Sequence, residues 1–306
     1  MANAIHIENL FKSFGAAEAL RNINLTVTQG DLFGLIGPDG AGKTTLFRIL
    51  TTLLYPDQGN VRVLNLDPVK DYKALRQVIG YMPGRFSLYQ DLTVEENLKL
   101  FASLFETTIA ANYHLIQDIY QQIEPFKQRK AGNLSGGMKQ KLALSCAMIH
   151  RPEILFLDEP TTGVDPVSRR EFWDMLQKLH EEGITIIVST PYMDEAMRCK
   201  NIGLIQNGVL LDTNTPQGIT QSFTRPLYSI KGPSKYQLLQ VLKSHPAQHS
   251  VYSFGSEIHF SSDTLTLSDI QQYLTEKAVA WNEVQLLTPT IEDTFMELMT
   301  QQASHD

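Results

Sequence analysis

The sequence predicts an α/β fold with a parallel sheet, followed by a smaller α+β unit, and three observations support this prediction. Apolar runs at residues 153–158 and 184–190 flank an amphipathic helical pattern at residues 168–182, as expected for buried strands that alternate with covering helices. A glycine-rich turn at residues 37–42 lies between an apolar strand and a helix. After about Phe223 the elements become shorter and follow a different order. The chain therefore combines two architectures.

The composition is that of an ordinary globular protein and excludes several classes. Of the 306 residues, 42% are hydrophobic and 19% are charged, which excludes a disordered or fibrous chain. The formal net charge of -7 has the wrong sign for a protein that binds nucleic acid by neutralising phosphates, so we expect no nucleic-acid partner. Cys146 and Cys199 show no metal-binding spacing, which favours two buried thiols in a reducing compartment.

The sequence shows no signal for export or membrane insertion. Its first residues lack a basic stretch followed by a long apolar run, so we expect no secretory signal. No run reaches about 18 consecutive apolar residues, so we expect no helix that spans a bilayer. Any role at a membrane would therefore act through a partner.

The large domain, predicted at residues 1–222, contains two additions to the parallel sheet. The first 30 residues alternate between apolar and polar side chains, which predicts a small antiparallel sheet. From about residue 91 to residue 130 helical periodicity dominates, and we predict a helical subdomain over about residues 91–150.

The accessory domain, predicted at residues 223–306, has its own pattern. Its segments follow the order strand, helix, strand, strand, helix, strand, which is the split βαβ arrangement of a ferredoxin-like unit. A last helical segment, TIEDTFMELMTQ, follows them. We therefore predict a small α+β ferredoxin-like domain at the carboxyl end.

The glycine-rich turn matches a phosphate-binding loop. Residues 37–44, GPDGAGKT, fit the full pattern between a strand and a helix. Glycines let the backbone curl so that N–H groups face a phosphate, Lys43 reaches its outer oxygens, and the Thr44 hydroxyl can bind Mg²⁺. A chance match is expected in about one chain in a hundred, before the strand and helix are required.

Two further segments offer polar groups that suit nucleotide chemistry. Asp158 and Glu159 end an apolar strand, where one carboxylate could hold Mg²⁺ and the other could orient or deprotonate water. Helix capping is the alternative role for this pair. The segment LSGGM at residues 134–138 begins a helix whose N–H groups could bind a phosphate, although a capping turn would also explain it.

Taken together, GPDGAGKTT, LSGGMKQKL, LFLDEP and TTGVDP occur in an order and spacing that resemble the nucleotide-binding subunit of ATP-binding cassette (ABC) transporters over about residues 4–220. The segments DLTVEENL, STPYMDEA and TIEDTF are most similar to the drug and antibiotic exporter-type group. The resemblance implies a P-loop NTPase core of ABC type, with ATP and Mg²⁺ as cofactors.

The resemblance also implies roles for individual residues. Lys43, Asp158 and Glu159 would be catalytic, with Glu159 as the base, and Thr44 and Asp158 would hold Mg²⁺. Phe14 would stack on adenine, with a core aromatic as the alternative role. Contacts to ATP would come from the residues of the phosphate loop: Gly37, Pro38, Asp39, Gly40, Ala41, Gly42, Lys43, Thr44 and Thr45. The signature residues Ser135, Gly136 and Gly137 would contact the nucleotide of the opposite subunit, as they do in this family. Asp165 would contribute at the dimer interface.

Two positions depart from the family pattern. Gly84 stands where the family has a glutamine, and Pro191 stands where it has a histidine. Glycine has no side chain to hold water or Mg²⁺, and proline has neither an imidazole nor a backbone N–H. Arg85 could offer a cation to the γ-phosphate instead. We therefore expect low ATPase activity from this chain alone.

The leading hypothesis is an ATPase subunit of an exporter, bound to the cytoplasmic face of the membrane through permease subunits. Its partners would be those permeases and a second cassette subunit, either a different chain or a copy of itself. Two alternatives are a nucleotide-binding regulatory subunit with little hydrolysis and a soluble family member without a permease. The transported substrate does not follow from this sequence.

Overall fold

The computed structural model describes residues 2–303, which form two compact units divided between Pro216 and Gln217. The strands of the first unit are β1 Asn3–Phe14, β2 Ala17–Thr28, β3 Leu32–Ile36, β4 Gln58–Val63, β5 Ile79–Met82, β6 Ile154–Asp158, β7 Thr185–Thr190, β8 Asn201–Gln206 and β9 Val209–Asn214. Its helices are α1 Lys43–Leu50, α2 Tyr72–Val78, α3 Val94–Leu104, α4 Ile109–Tyr120, α5 Gly136–Met148 and α6 Pro166–Glu181, and α7 Pro216–Gln221 begins at the division. The domain limits drawn from the sequence stay predictions.

A three-stranded antiparallel sheet at the start of the chain confirms the sheet predicted there. Its order is β2-β1-β4, and Ile5 lies opposite both Val27 and Val63. The alternation buries one face of β1, where Ile5, Ile7 and Leu10 belong to the core. The third strand, β4, was not predicted.

The central sheet has the order β5-β6-β7-β3-β8-β9. The pairs from β5 to β8 are parallel, as predicted, whereas β9 runs antiparallel to β8. The turn before β9 is Asn207-Gly208 with φ of 48° and 76°, which is the left-handed backbone that a tight hairpin needs. Because β6, β7 and β3 are neighbours, their carboxyl ends meet at one edge, next to the glycine-rich turn.

Helix α1 is held against this sheet by aromatic packing. The rings of Phe47 on α1 and Phe156 on β6 meet edge to face with centroids 5.8 Å apart. Both side chains are fully buried. This contact packs the middle of α1 against the middle of β6.

The predicted helical insertion is confirmed, since α3, α4 and α5 lie between β5 and β6 in the chain. Thr93 caps α3 in a reciprocal capping box with Glu96. Asn97 is buried on α3 and exchanges hydrogen bonds of 3.0 Å with the backbone N–H and C=O of Tyr89. The loop before α3 is therefore tied to the helix.

The second unit has the ferredoxin-like arrangement that the sequence predicts. Its elements are β10 Leu227–Lys231, α8 Lys235–Lys243, β11 Ser250–Phe254, β12 Glu257–Ser261, α9 Leu267–Glu276, β13 Glu283–Leu287 and α10 Ile291–Ala303. The antiparallel sheet has the order β11-β12-β10-β13. One face packs on α8 and α9 through Ile230, Ile258 and Phe260 of the sheet and through Leu238 and Leu274 of the helices.

The opposite face of this sheet holds a buried polar cluster with α10. His259 alternates with Ile258 and Phe260, and its Nδ1 lies 2.6 Å from Oδ1 of Asp293, a residue without solvent exposure. Tyr252 donates to the same oxygen at 2.7 Å, and Thr290 donates to Oδ2 through both N–H and hydroxyl. Burial alone raises the pKa of Asp293, but these hydrogen bonds outweigh it and lower the pKa to about 2.

Two other expectations can be compared with the structure. Cys146 and Cys199 are buried free thiols, as predicted, and burial raises the pKa of both. Among residues 2–303, no helix combines the length and apolar character that crossing a membrane requires.

Candidate nucleotide-binding site

The phosphate loop, residues 37–45, connects β3 to α1. Gly37 donates its N–H to the Thr190 carbonyl at 3.2 Å, and a Cβ at Gly37 would lie 2.1 Å from the Ile205 carbonyl oxygen. Gly42, just before α1, has φ 106°, which L side chains rarely adopt. The loop conformation therefore requires glycine at both positions.

Lys43 places a cation inside this loop. Its side chain is 3% exposed, and Nζ donates to the carbonyl oxygens of Gly37 and Pro38 at 2.8 and 2.9 Å. It also forms an ion pair with Oε1 of Glu159 at 3.1 Å. A cavity of about 290 Å³ at this point is lined by Ala19, Asp39, Gly40, Gly42, Lys43, Thr44, Thr45 and Glu159.

The two acidic residues follow the end of β6. Asp158 is 2% exposed, and its Oδ1 accepts a 2.6 Å hydrogen bond from the Ser189 hydroxyl on β7. Glu159 has φ 49°, an uncommon conformation for a residue with a side chain, and its N–H donates to the Ser189 carbonyl at 3.0 Å. The structure thus brings Lys43, Asp158 and Glu159 together, as the sequence predicts.

The donors near Asp158 suit a hard divalent cation such as Mg²⁺. Oδ2 of Asp158 accepts no hydrogen bond within residues 2–303, and Asp158 and Thr44 line the same cavity. Carboxylate and hydroxyl oxygens are ligands that Mg²⁺ prefers. Three or more His, Cys, Asp or Glu side chains do not cluster as a metal site anywhere in the described chain, so further ligands would come from phosphate and water.

A second cavity, of about 470 Å³, adjoins the loop and is called the Gly84 cavity here. It is lined by Thr44, Arg48, Tyr81, Pro83, Gly84, Arg85, Asp158 and Glu159. A Cβ at Gly84 would lie 3.0 Å from the Asp158 carbonyl oxygen and 3.8 Å from Cβ of Glu159. Burial, with a contribution from Asp158, raises the pKa of Tyr81 to about 12, although Arg48 opposes the shift. Gly84 therefore borders both acids.

Pro191 also lies beside the phosphate loop. The preceding residue, Thr190, accepts the Gly37 N–H through its carbonyl and donates its hydroxyl to Oε2 of Glu195 at 2.6 Å. Glu195 is 3% exposed and accepts a second hydroxyl, that of Thr161, at 2.8 Å. The segment that follows β7 is thus anchored to the segment that follows Glu159.

Phe14 ends β1 and is exposed, which excludes the core alternative for this ring. Lys12 Nζ lies 5.5 Å from its centroid. A neighbouring cavity of about 620 Å³ reaches from Ser13 and Gly15 to Gly40 of the phosphate loop. An aromatic ring is therefore available near the loop, and its stacking on adenine stays a prediction.

The signature segment and Asp165 lie outside both cavities at the phosphate loop. Ser135 caps α5 and accepts the Met138 N–H at 3.4 Å, so the capping role is present. Asp165 caps α6 by accepting N–H groups of Ser168 at 3.0 Å and Val167 at 3.1 Å, and these bonds lower the pKa of Asp165. Within residues 2–303, the signature residues and Asp165 therefore do not line the cavity that contains Lys43.

The two signature glycines differ in the space around them. A Cβ at Gly137 would lie 2.7 Å from Oγ and 2.9 Å from Cβ of Ser168, whereas the nearest atom to a Cβ at Gly136 is 3.7 Å away. We expect Gly137→Ala to destabilise the folded protein by about 1–3 kcal/mol because α5 and α6 must separate slightly. The matched variant Gly136→Ala should change stability by less than about 0.5 kcal/mol. Urea unfolding measures both, and equal effects would contradict the packing argument.

Several residues of this site were not predicted from the sequence. Ser189 contacts Asp158, and Arg48 and Tyr81 line the Gly84 cavity. The spacing of Arg48, four residues after Thr44, could have indicated that both side chains lie on one face of α1. The contact between Ser189 and Asp158 depends on the pairing of β6 with β7, which the sequence pattern does not predict.

Comparisons with known proteins agree with this geometry. The family model of the ABC transporter matches residues 20–162. The chain is 39% identical over 302 residues to the probable multidrug ABC transporter ATP-binding protein YbhF of Escherichia coli, covering 96% of this chain and 52% of that protein. The chain therefore spans about half the length of that relative.

A second relative aligns over nearly its whole length. The Nod factor export ATP-binding protein I of a Rhizobium species is 32% identical over 303 residues, covering 96% of each protein. A solved dimeric ATP-binding cassette in a post-hydrolysis state, bound to ADP and Pi, superposes with a TM-score of 0.62 and 26% identity over 69% of this chain and 98% of that chain. With the phosphate loop, the paired acids and the signature segment in place, this chain belongs to the ATP-binding proteins of ABC transporters, in their drug and antibiotic exporter-type group.

Proposed function

We propose that this chain is the ATP-hydrolysing subunit of an ABC exporter and that ATP-driven closure of a cassette dimer moves a separate membrane permease. The observation that supports this most is the meeting of Lys43, Asp158 and Glu159 around the phosphate loop. The names of the two relatives, one multidrug and one Nod factor export, support an export function. The chain would bind the cytoplasmic face of the membrane through the permease.

In this proposal ATP lies along the phosphate loop with its adenine over Phe14. Thr44 and Asp158 would hold Mg²⁺, which neutralises charge on the phosphates when bound. The loop residues would supply backbone N–H groups at the amino end of α1, where the helix dipole favours an anion: Gly37, Pro38, Asp39, Gly40, Ala41, Gly42, Lys43, Thr44 and Thr45, with Pro38 lacking an N–H and contributing through the loop shape.

The Lys43–Glu159 ion pair gives binding a chemical consequence. The pair is 3.1 Å long, and Lys43 has no other carboxylate partner among the described residues. A terminal phosphate that takes the ammonium group would free the Glu159 carboxylate. Glu159 could then accept the proton of the attacking water while the bond to the β,γ-bridging oxygen breaks and ADP leaves.

The partner nucleotide would be contacted by Ser135, Gly136, Gly137 and Asp165. This assignment is supported by their position outside the cavities at this chain's own loop. The partner would be a second cassette subunit, either a copy of this chain or one that keeps the glutamine and histidine. Because Gly84 and Pro191 both adjoin the phosphate loop here, a heterodimer would place the competent site on the other chain's loop.

The same two residues favour a second candidate, a regulatory subunit that binds ATP but hydrolyses it slowly. Gly84 borders Asp158 and Glu159 without a side chain, and Pro191 follows the carbonyl that anchors Gly37. Losing one positioned polar contact typically costs about 10²–10³ in rate. The two candidates differ only in turnover, so the rate decides between them.

Restoring both side chains tests hydrolysis at this loop. We expect Gly84→Gln combined with Pro191→His to raise the turnover of the purified chain at least about tenfold, because each residue returns a polar group to the site. The glutamine needs only a small loop shift, since its Cβ would lie 3.0 Å from the Asp158 carbonyl. Phosphate release is the measurement.

The control adds Glu159→Gln to the double variant and should remove the gain. Wild-type turnover that already equals that of the double variant, at about 1 s⁻¹ or more, would mean that Gly84 and Pro191 do not limit the rate, and the regulatory candidate would fail. Equally slow turnover in both proteins would contradict the expected gain. Turnover that survives Glu159→Gln would contradict its role as the base.

A further inference from the structure

The Gly84 cavity is lined by two arginines that have no ion-pair partner in the described part of the chain. Arg48 and Arg85 both line it, and within residues 2–303 neither guanidinium forms an ion pair or a hydrogen bond. Of the two acids in the lining, Glu159 forms an ion pair with Lys43, and Asp158 accepts a hydrogen bond from the neutral Ser189 hydroxyl, so neither acid forms an ion pair with Arg48 or Arg85. Two unpaired cations on one concave surface attract an anion.

Arg85 is the better placed of the two for a phosphate group at the loop. Arg85 is the residue after Gly84, and Gly84 lies next to the Asp158 carbonyl and Cβ of Glu159. Arg48 lies four residues beyond Thr44, about 6 Å further along the axis of α1, and beside Tyr81. Gly84 itself adds no side chain to the lining of this cavity.

We propose that Arg85 binds the terminal phosphoryl group of ATP and makes this site distinguish ATP from ADP. The proposal rests on the proposed function, since it needs ATP on the phosphate loop. A guanidinium offers paired N–H donors that match phosphate oxygens, and a planar fork suits an exposed oxyanion better than a single ammonium does. The contact provides a cation at the γ-phosphate on the side where this chain has Gly84.

The experiment compares a nucleoside diphosphate with a triphosphate analogue that carries the terminal phosphoryl group through an imido bridge. Calorimetry measures the affinity of the full chain for ADP and for AMP-PNP, a non-hydrolysable ATP analogue. We expect Arg85→Ala to weaken AMP-PNP binding about tenfold or more and ADP binding by less than about twofold. Arg85→Lys, which keeps the charge but not the fork, should fall between wild type and Arg85→Ala.

Arg151→Ala is the matched control. Arg151 is another exposed arginine without an ion pair in the described chain, and it precedes β6, at the opposite end of the strand from Asp158. Removing it deletes the same charge far from the cavity and should change neither affinity. This control separates a local contact from a change in net charge.

The possible results have different meanings. Unchanged AMP-PNP affinity in Arg85→Ala would overturn the assignment of Arg85 while ATP binding itself survives. An equal loss for ADP and AMP-PNP would also overturn it, because Arg85 would then act on the loop or on the shared phosphates. A wild-type chain that binds neither nucleotide would overturn the proposed function and this inference together.

Discussion

Lys43→Ala is expected to weaken MgATP binding by about 3 kcal/mol, or about a hundredfold in Kd, since it removes the cation that we propose contacts two phosphate groups. The structure supports this magnitude because Lys43 is 3% exposed and is held by the Gly37 and Pro38 carbonyls. A buried, oriented ammonium loses little further entropy when a phosphate arrives. Titration calorimetry on the purified chain measures the effect.

Two controls make the Lys43 result specific. Lys70 is 79% exposed, and its one ion pair within residues 2–303 is with Asp67 at 4.0 Å, so Lys70→Ala should leave Kd unchanged. Lys43→Ala also leaves Glu159 without its ion-pair partner. Circular dichroism is therefore used to check that the variant is folded. A folded Lys43→Ala protein with wild-type ATP affinity would contradict the phosphate-site assignment.

The second large effect is expected in the carboxyl-terminal unit. Asp293→Asn should reduce the stability of this unit by about 2–4 kcal/mol, because a buried carboxylate that accepts four hydrogen bonds would become an amide facing donors. Hydrogen exchange of peptides from β11, β12 and α10, followed by mass spectrometry, measures the loss locally. Peptides from β3 and β6 provide the internal reference.

The pH dependence of this effect follows from the pKa of Asp293. The pKa is lowered from 3.8 to about 2 in the folded protein, so the carboxylate stabilises the unit fully above the unfolded value. The contribution falls as pH drops from about 4 towards 2. The stability difference between wild type and Asp293→Asn should therefore be constant at neutral pH and shrink below about pH 4.

Asp263→Asn is the matched control for Asp293→Asn. Asp263 forms an ion pair with Arg225 at 3.0 Å, and its side chain is 62% exposed. Exposed pairs contribute about 0–1 kcal/mol, so this variant should change exchange little. Equal losses in both variants would mean that burial of Asp293 does not set the size of the effect.

The phosphate loop and the strand-end acids could be predicted from sequence because each is a short contiguous motif. The pattern of glycines and lysine at residues 37–44 fixes local backbone conformation, and Asp158 and Glu159 end an apolar run. Their meeting could also be expected, since the carboxyl ends of neighbouring parallel strands share one edge of a sheet. The catalytic roles of these residues stay predictions.

In the ferredoxin-like unit, sequence patterns predicted the order of the elements but not the polar contacts on one face of the sheet. Alternating strands and amphipathic helices predicted its element order, and α8 and α9 cover the expected apolar face. The polar face was not predicted, because His259 and Tyr252 look like solvent-facing residues of a strand. In the structure His259 is buried and Tyr252 is half-buried, and both contact the Asp293 side chain of α10.

The sequence by itself determined the family, the phosphate loop and the two departures at Gly84 and Pro191, because these depend on residue identity and spacing along the chain. Only the tertiary structure decided that Gly84 borders Asp158 and Glu159, that Ser189 bonds Asp158, and that Arg48 and Arg85 share a cavity. The physical reason is the strand order β5-β6-β7-β3, which joins segments that are distant in the chain. Side-chain periodicity specifies which face of a strand is buried, but not which strand lies beside it.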